Sequence, residues 1–381
     1  MGSFSKTRAA DISLIDNVEP IRVMNISPRS TNYVNFPEIY ESVVAAAAAI
    51  NAAGGIGGRP ILTEWGNESA DRHAVEACAK KAVKEGFTAV VGNYIGFDNA
   101  SYDILRENNI PSIAPIGLTA PDFIDPAAYP LISIALVGFL GVGYQIKQDG
   151  HQSVAVIGYE GPSSQKSLKY FVAGIESWGV KLARFIPLQP GAEDISTQVK
   201  AALDSGASAI CSIAGANDVC RLIRGVRGSG SNVPYYNTAI AVLPAIDTLG
   251  EAGNELTLIS TFPAPGSPES KDYMTEWEKF AAPNMVRSDF TVNAWLGMHL
   301  LANVASKLKV VDGKSIQDVL NHSTEITFSF LKGYQPNGVP PIKEFPRLKR
   351  IRIYANRVRN GKLAESLYPR GANPVSPKFR L

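Results

Sequence analysis

From Pro20 onward, short runs rich in Val, Ile and Ala alternate with stretches of helical period, the pattern of parallel α/β layers rather than of a sandwich or a bundle. Residues 21–27 predict a strand. Residues 37–53 predict a helix, with Pro37 at its first position and Gly54-Gly55 just past its end. A strand at 59–66, a helix at 71–84 with an acidic start and a basic end, a doubly buried strand at 87–92 and a strand at 112–116 complete a first series. A second opens near Ser133 with a helix over 138–147, then strand 153–159, helix 165–178, strand 182–188 and helix 195–204. After Pro263 the pattern changes: helices at 270–281, 290–308 and 315–321 follow one another, and only 326–331 and 348–358 still read as strands.

Two segments match. Glu85-Gly86, the run 87–92, a loop, a helix and Asn109-Ile110-Pro111 correspond to Ser205-Gly206, the run 207–215, a loop, a helix and Asn232-Val233-Pro234. Two copies are too few for a solenoid and fit two similar lobes. A chain that completes a second lobe and then supplies more helix must return some of it to the first, so two or three crossovers are expected. The expected division is 20–134 with 264–345 in lobe 1 and 135–263 with 346–366 in lobe 2, flanked by a linker at 1–19 and a tail at 367–381.

Composition narrows the class. The 381 residues, 45% apolar and 19% charged, suffice for two cores and exclude disorder, collagen and coiled coil. The most apolar stretch, 129–143, is too short for a membrane span and is broken by Pro130 and glycines. Residues 1–19 lack the apolar core of a secretory signal, so the expectation is a signal absent from this sequence, with Gly2-Ser3 the kind of linker that follows a cleaved or lipidated cysteine. Cys78, Cys211 and Cys220 show no metal spacing and are expected as free thiols. Net charge is +2, but from Lys343 onward eleven Lys and Arg face only Glu344 and Glu365, a net +9 that leaves −7 on the rest. Such a run fits nucleic acid or an anionic surface; the reading adopted is a solvated edge strand and tail in which Lys349, Arg350, Arg352, Arg357 and Arg359 keep a sheet edge soluble, with no nucleic-acid partner.

In open parallel sheets ligands bind beyond the carboxyl ends of the strands. The loops there are polar and aromatic: Arg29, Tyr33 and Phe36 after the first strand, Tyr94, Phe97 and Asp98 after the third, Gly117, Leu118 and Thr119 after the fourth. The second series offers Tyr159 and Ser164, then Asn217, then Asn237 and Thr238. Ordinary turn and capping chemistry uses the same residue types. His73, His151, His299 and His322 form no metal or triad spacing, and no cofactor motif is present. Gly54-Gly55-Ile56-Gly57-Gly58 follows a helix and precedes a strand, the reverse of a dinucleotide loop, and so predicts a helix stop and turn.

The segment from Ala48 to Pro60 (AAINAAGGIGGRP), with Ala89-Val90-Val91-Gly92, Ile110-Pro111-Ser112-Ile113-Ala114-Pro115, Pro190-Gly191-Ala192-Glu193-Asp194 and Gly361-Lys362, resembles the type I periplasmic binding proteins of the branched-chain amino acid branch. The resemblance covers about residues 20–365 in order. It implies an α/β fold of two Rossmann-like lobes with parallel sheets joined by a multi-crossover hinge. It also implies a non-enzymatic, extracytoplasmic solute receptor of an ABC importer, with a permease partner, no cofactor, a lipid anchor as its only membrane attachment, and a monomeric state. In the family the loop hydroxyl of the first lobe falls here at Asp98, the carboxylate-holding backbone and Thr at Gly117, Leu118 and Thr119, and the second-lobe aromatic near Ser164, with Tyr159 nearby. The acid that pairs with a ligand ammonium falls within 237–239 and is missing; Ala70 and Ile95 stand where some relatives have a disulfide. The expected ligand is therefore either an amino acid with reversed poles, its ammonium on Asp98 and its carboxylate on Arg29, or an aromatic or amide-like compound among Tyr33, Phe36, Tyr94, Phe97, Tyr159 and Tyr236. A ligand sensor of the same fold is the alternative role.

Overall fold

The first sheet grows from the first series of strands. β1 (Ile21–Ser27), α1 (Pro37–Ala52), β2 (Ile61–Asn67), α2 (Arg72–Lys84), β3 (Ala89–Val91), α3 (Ser101–Glu107), β4 (Ser112–Ile113), α4 (Pro121–Ile124) and β5 (Ala128–Tyr129) give five parallel strands in the order β2-β1-β3-β4-β5. The second series is α5 (Ile134–Gln148), β6 (Ser153–Gly158), α6 (Pro162–Ser177), β7 (Lys181–Pro187), α7 (Ser196–Leu203), β8 (Ala209–Ile213), α8 (Ala216–Gly228), β9 (Tyr235–Thr238) and β10 (Thr257–Ser260). Then come α9 (Lys271–Phe280), α10 (Asp289–Ala305), α11 (Gly313–His322), β11 (Ile326–Phe328), β12 (Leu331–Tyr334), β13 (Tyr354–Arg359) and β14 (Lys362–Ser366). The seven-stranded second sheet runs β14-β13-β10-β9-β8-β6-β7, parallel except where β13 meets β10 and β14. This computed structural model describes residues 18–30, 35–69, 71–96, 100–368 and 370–380.

Within the second sheet, β7-β6-β8-β9-β10 repeats the order of the first, so the matched sequence segments become β3-α3-β4 and β8-α8-β9. The type I α/β fold is as expected, with the first sheet parallel throughout and the second mostly parallel. The chain passes between the sheets three times, from β5 into α5, from β10 into α9 and from β12 into β13.

Local chemistry explains most boundaries. Asn51 turns back on the chain after the Gly54-Gly55 stop: its side chain accepts from the Ile61 amide at 2.8 Å and donates to the Ile61 carbonyl at 3.0 Å, fixing the start of β2. Gly55, at φ +70, would place a Cβ 2.3 Å from the Arg59 carbonyl, so that turn requires glycine. Ser133 caps α5 by accepting from the Leu136 amide, and Asp71 caps α2 by accepting from His73. α10, opened by a Ser288/Thr291 capping box, is buried on nearly every side and returns to cover the first sheet. Asn293 donates to the Ala114 carbonyl at 2.7 Å, and Ser42 of α1 donates to the Thr291 carbonyl at 2.7 Å.

Four expectations are corrected. The helix expected over 138–147 begins a turn earlier, because Ser133 caps it and Gly138, Gly141 and Gly143 admit close packing on Thr238, Ile259 and Ile175 rather than marking a start. The strand expected over 326–331 is the hairpin β11–β12, broken at Ser329 by a φ of +48. The strand expected over 348–358 begins only at Tyr354. Before it the chain is irregular, because Arg350 turns inward to donate to the Thr261 carbonyl at 2.9 Å and Ile353 pairs with Ala372 of the tail. The solvated-edge reading of the basic run fails for the same reason. β13 is flanked by β10 and β14, Arg350 is partly buried, and Arg357 and Arg359 face Asp149 and Glu255.

The second and third crossovers meet at a polar node. Asp289, buried at the start of α10, accepts from the Thr261 amide at 2.6 Å and the Thr261 hydroxyl at 2.9 Å. Arg287 donates to the Pro263 carbonyl and lies over the Tyr273 ring, while the Arg350 guanidinium lies over Phe262. Burial pushes the Asp289 carboxyl up to about 6, against the opposing pull of Thr261, Arg287 and Arg350. The folded protein then holds this proton more tightly than the unfolded chain, whose carboxyl titrates near ~4. Stability contributed by the protonated acid is full below about pH 4 and lost as pH rises through about 6, a swing of about 3 kcal/mol. Denaturation midpoints measured from pH 4 to pH 7 should show that decline, and Asp289→Asn should flatten it; an equal slope in both proteins would refute the assignment.

Candidate functional site

Both sheets have the order that places a switch point between their first and third strands, β1/β3 in one and β6/β8 in the other, where helices leave on opposite faces and a crevice opens. At the first switch point a buried hydrogen-bond ladder holds the strand ends together. Trp65 Nε1 donates to Ser27 Oγ at 2.9 Å, Ser27 Oγ donates to Asn25 Oδ1 at 2.6 Å, and Asn25 Nδ2 donates to the carbonyls of Val91 and Gly92 at 2.8 and 2.9 Å. Asn93 Oδ1 accepts from the Ile26 amide at 2.9 Å. With every rung paired, the ladder is rigid.

Aromatic groups stand on this ladder. Tyr40 stacks on Trp65 with centroids 5.0 Å apart, and the exposed Arg29 lies 4.8 Å from the centre of the indole, its backbone tied to Asn67. Phe36, Tyr94 and Phe290 form a triangle with centroids 5.0 to 5.6 Å apart, contributed by the start of α1, the loop after β3 and α10. Tyr33, Phe97 and Asp98 lie outside the described residues.

The loop after β4 is organised by Asp122, a residue that sequence reasoning missed. Its Oδ2 accepts from the Leu118 amide at 3.0 Å, the Thr119 amide at 2.8 Å and the Thr119 hydroxyl at 2.9 Å, and its Oδ1 accepts from Tyr102 at 3.1 Å. The amides at Leu118 and Thr119 are thus turned onto a carboxylate of the chain itself. The Thr119-x-x-Asp122 spacing before a short helix is the signal that could have found it. Gly117 is buried, and its carbonyl accepts from Ser133 Oγ at 3.2 Å.

On the second sheet, Tyr159 follows β6 and crosses the switch point. Its hydroxyl donates to Asp218 at 2.6 Å and accepts from the Gly215 amide at 3.1 Å, at the start of α8. Burial, reinforced by the Asp218 carboxylate, pushes this phenol up to about 12. Ser164 is partly buried in the first turn of α6, and Asn217 is exposed in the first turn of α8. Asn237 and Thr238 are buried at the end of β9: Asn237 donates to Ser212 at 3.4 Å, and the Thr238 methyl packs against Gly138 of α5. Tyr236 is bound to Asp149 at 2.7 Å, at the carboxyl end of α5 and away from the strand ends that carry Tyr159.

The two edges face each other. Lys166 Nζ, from α6, donates to the Leu118 carbonyl at 3.0 Å, and its partial burial lowers its pKa. Lys166 carries no sequence signal of this role, because the contact exists only once both lobes are in place. Among the described residues no group of His, Cys, Asp and Glu gathers to hold a metal ion, and Cys78, Cys211 and Cys220 are free thiols. No helix of the described residues is long and apolar enough to cross a membrane.

Two like-ordered sheets, switch points facing across a crevice and three connecting passages define a two-lobed ligand-binding receptor of the type I class. The chain belongs to the periplasmic binding protein family, whose model matches residues 20–337, a family of solute-binding proteins rather than enzymes. Leu/Ile/Val-binding protein homolog 2 of Brucella abortus (strain 2308) is 36% identical over 89 residues, 23% of this chain, so the match spans about a quarter of that relative's length, 24%. Among solved structures, the fold is similar to a Rhodopseudomonas palustris HaA2 ABC transporter solute-binding protein in complex with p-hydroxybenzoic acid, with a TM-score of 0.74 and 18% identity over 95% of this chain and 99% of that one. It is also similar to LivJ of Streptococcus pneumoniae in complex with isoleucine, with a TM-score of 0.73 and 17% identity over 91% and 99% of the two chains.

Proposed function

We propose that the chain is the extracytoplasmic solute-binding receptor of an ABC importer, closing two lobes on a small molecule that a membrane permease then accepts. The lobes would be 20–134 with 264–345 and 135–263 with 346–366. The proposed ligand is a compact aromatic acid or amide. One observation supports this choice: beside the first switch point stand the Arg29/Trp65/Tyr40 stack and the Phe36/Tyr94/Phe290 triangle, proposed here as one wall of the crevice, while the Leu118 and Thr119 donors that would hold an amino-acid carboxylate are already satisfied by Asp122. Flat rings stack on such walls, and a carboxylate suits the guanidinium of Arg29. Tyr33, Tyr94, Phe97, Asp98, Tyr159, Ser164 and Asn217 are proposed to complete the site, and closure would shift a hinge equilibrium between open and closed forms.

A ligand that binds only the folded form stabilises it by RT ln(1 + [L]/Kd), about 2.7 kcal/mol at a hundredfold excess over Kd. Thermal unfolding should therefore shift upward with 4-hydroxybenzoate, benzoate or benzamide and stay fixed with leucine, glutamate or urea. A shift with leucine alone would replace the aromatic ligand by an amino acid. The absence of any shift across amino acids, aromatic acids and amides would remove the receptor reading.

A further inference from the structure

A cavity of about 310 Å3 opens beside the third crossover, far along the chain from every strand-end loop of the crevice. Three separate pieces of chain converge on it: Lys332 from β12, the stretch carrying Lys349, Arg350 and Arg352, and the tail at Gly371 to Asn373. Four cationic side chains line it, and no Asp or Glu does. Two are held by neutral carbonyls: Lys349 donates to Gly338 at 2.7 Å and Arg350 to Thr261 at 2.9 Å. The stem of Arg352 lies against Gly371, where a Cβ would stand 2.4 Å from it, so this side chain is laid along the cavity wall by the tail.

The acids of the neighbourhood do not pair with the lining cations. Asp289 accepts from Thr261 and feels Arg350 only through the field between them, and Glu269 accepts from Tyr354. Glu325 stands beside Gly333, outside the lining. Arg357 and Arg359, from the same basic stretch, face Asp149 and Glu255, whereas none of the four lining cations forms a salt bridge among the described residues. Like charges collected in a concave, partly desolvated space repel one another and focus a positive potential there. A bound anion removes that repulsion, and guanidinium forks match the oxygens of a phosphate or carboxylate group.

We propose that this cavity is a binding site for a small oxyanion of two or more negative charges, of the phosphate or tricarboxylate type. Its walls belong to the β11–β12 hairpin on one side and to the tail that docks on α6 on the other, with the crossover as its floor, so an occupant ties together the pieces that flank the hinge. The site does not depend on which molecule the crevice takes.

Titration calorimetry of the full chain at low ionic strength, with inorganic phosphate and with citrate, tests it. Wild-type protein should bind citrate more tightly than phosphate, and both more tightly than chloride. Arg352→Glu or Lys332→Glu should weaken citrate at least tenfold, the double variant should abolish binding, and Arg352→Lys should retain it within a few-fold. Both substituted side chains are exposed, so circular dichroism and thermal melting should match the wild type. Lys343→Glu, a charge reversal outside the lining, should leave affinity within twofold. No citrate or phosphate binding at millimolar concentration, or equal affinity in wild type and double variant, would overturn the proposal. So would retention on phosphatidylglycerol vesicles that phosphate and citrate fail to displace, which would reassign the charge to a membrane surface.

Discussion

Gly92→Val is expected to lower the folding stability by about 4 kcal/mol. Two penalties coincide. Gly92 sits at φ +66, which costs a β-branched residue on the order of 1–3 kcal/mol. A Cβ at this position also meets Ala294 of α10, 2.9 Å from its Cβ and 3.1 Å from its Cα, and overpacking against a helix backbone costs a further 1–3 kcal/mol or so. Equilibrium denaturation measures the sum, and a double-mutant cycle separates the parts. In a Gly92→Ala background, Ala294→Gly should recover the part of the contact penalty due to the Ala294 Cβ and leave the backbone penalty. No recovery would mean that α10 does not bear on the strand end as described. Because Gly92 is a rung of the switch-point ladder, the same change should weaken ligand binding.

Arg350→Met is expected to cost about 3 kcal/mol, although it exchanges a polar side chain for an apolar one of similar reach. The guanidinium donates to the Thr261 carbonyl and stands near Asp289, so its removal leaves a buried carboxylate with one cation fewer. The pH at which Asp289 releases its proton should rise further, extending the decline of stability toward neutral pH. Denaturation of Arg350→Met, Asp289→Asn and the double variant gives the coupling directly: the double variant should be more stable than the sum of the single losses predicts. Additive losses would show that the two side chains act independently at this crossing.

How far the sequence could be read depended on what held each element. β1 was legible to the residue because its buried pattern and its flanking Pro20 are local properties, and α1 nearly so, because Pro37 and Gly54-Gly55 bracket it. β4 shrank to two residues, and the basic stretch after Leu348 resisted reading, because partners from β10 and the tail dictate its course. Around the proposed site, Tyr94 and Tyr159 lie just past β3 and β6, where the strand-end rule looks for loop residues. Asp122, Lys166 and Phe290 were missed, since an internal acceptor, a contact across the crevice and a face of a late helix are all products of tertiary assembly. The inward burial of Asn237 was equally hidden, because a strand-end Asn reads the same whether it faces solvent or its own sheet.

The three passages between the sheets also set a timetable for synthesis. The first sheet lacks its cover until α10 has emerged, and the second lacks β13 and β14 until almost the last residues. A nascent or truncated polypeptide that lacks these late elements is therefore expected to leave both cores incomplete and open to proteases and chaperones until nearly all of it exists.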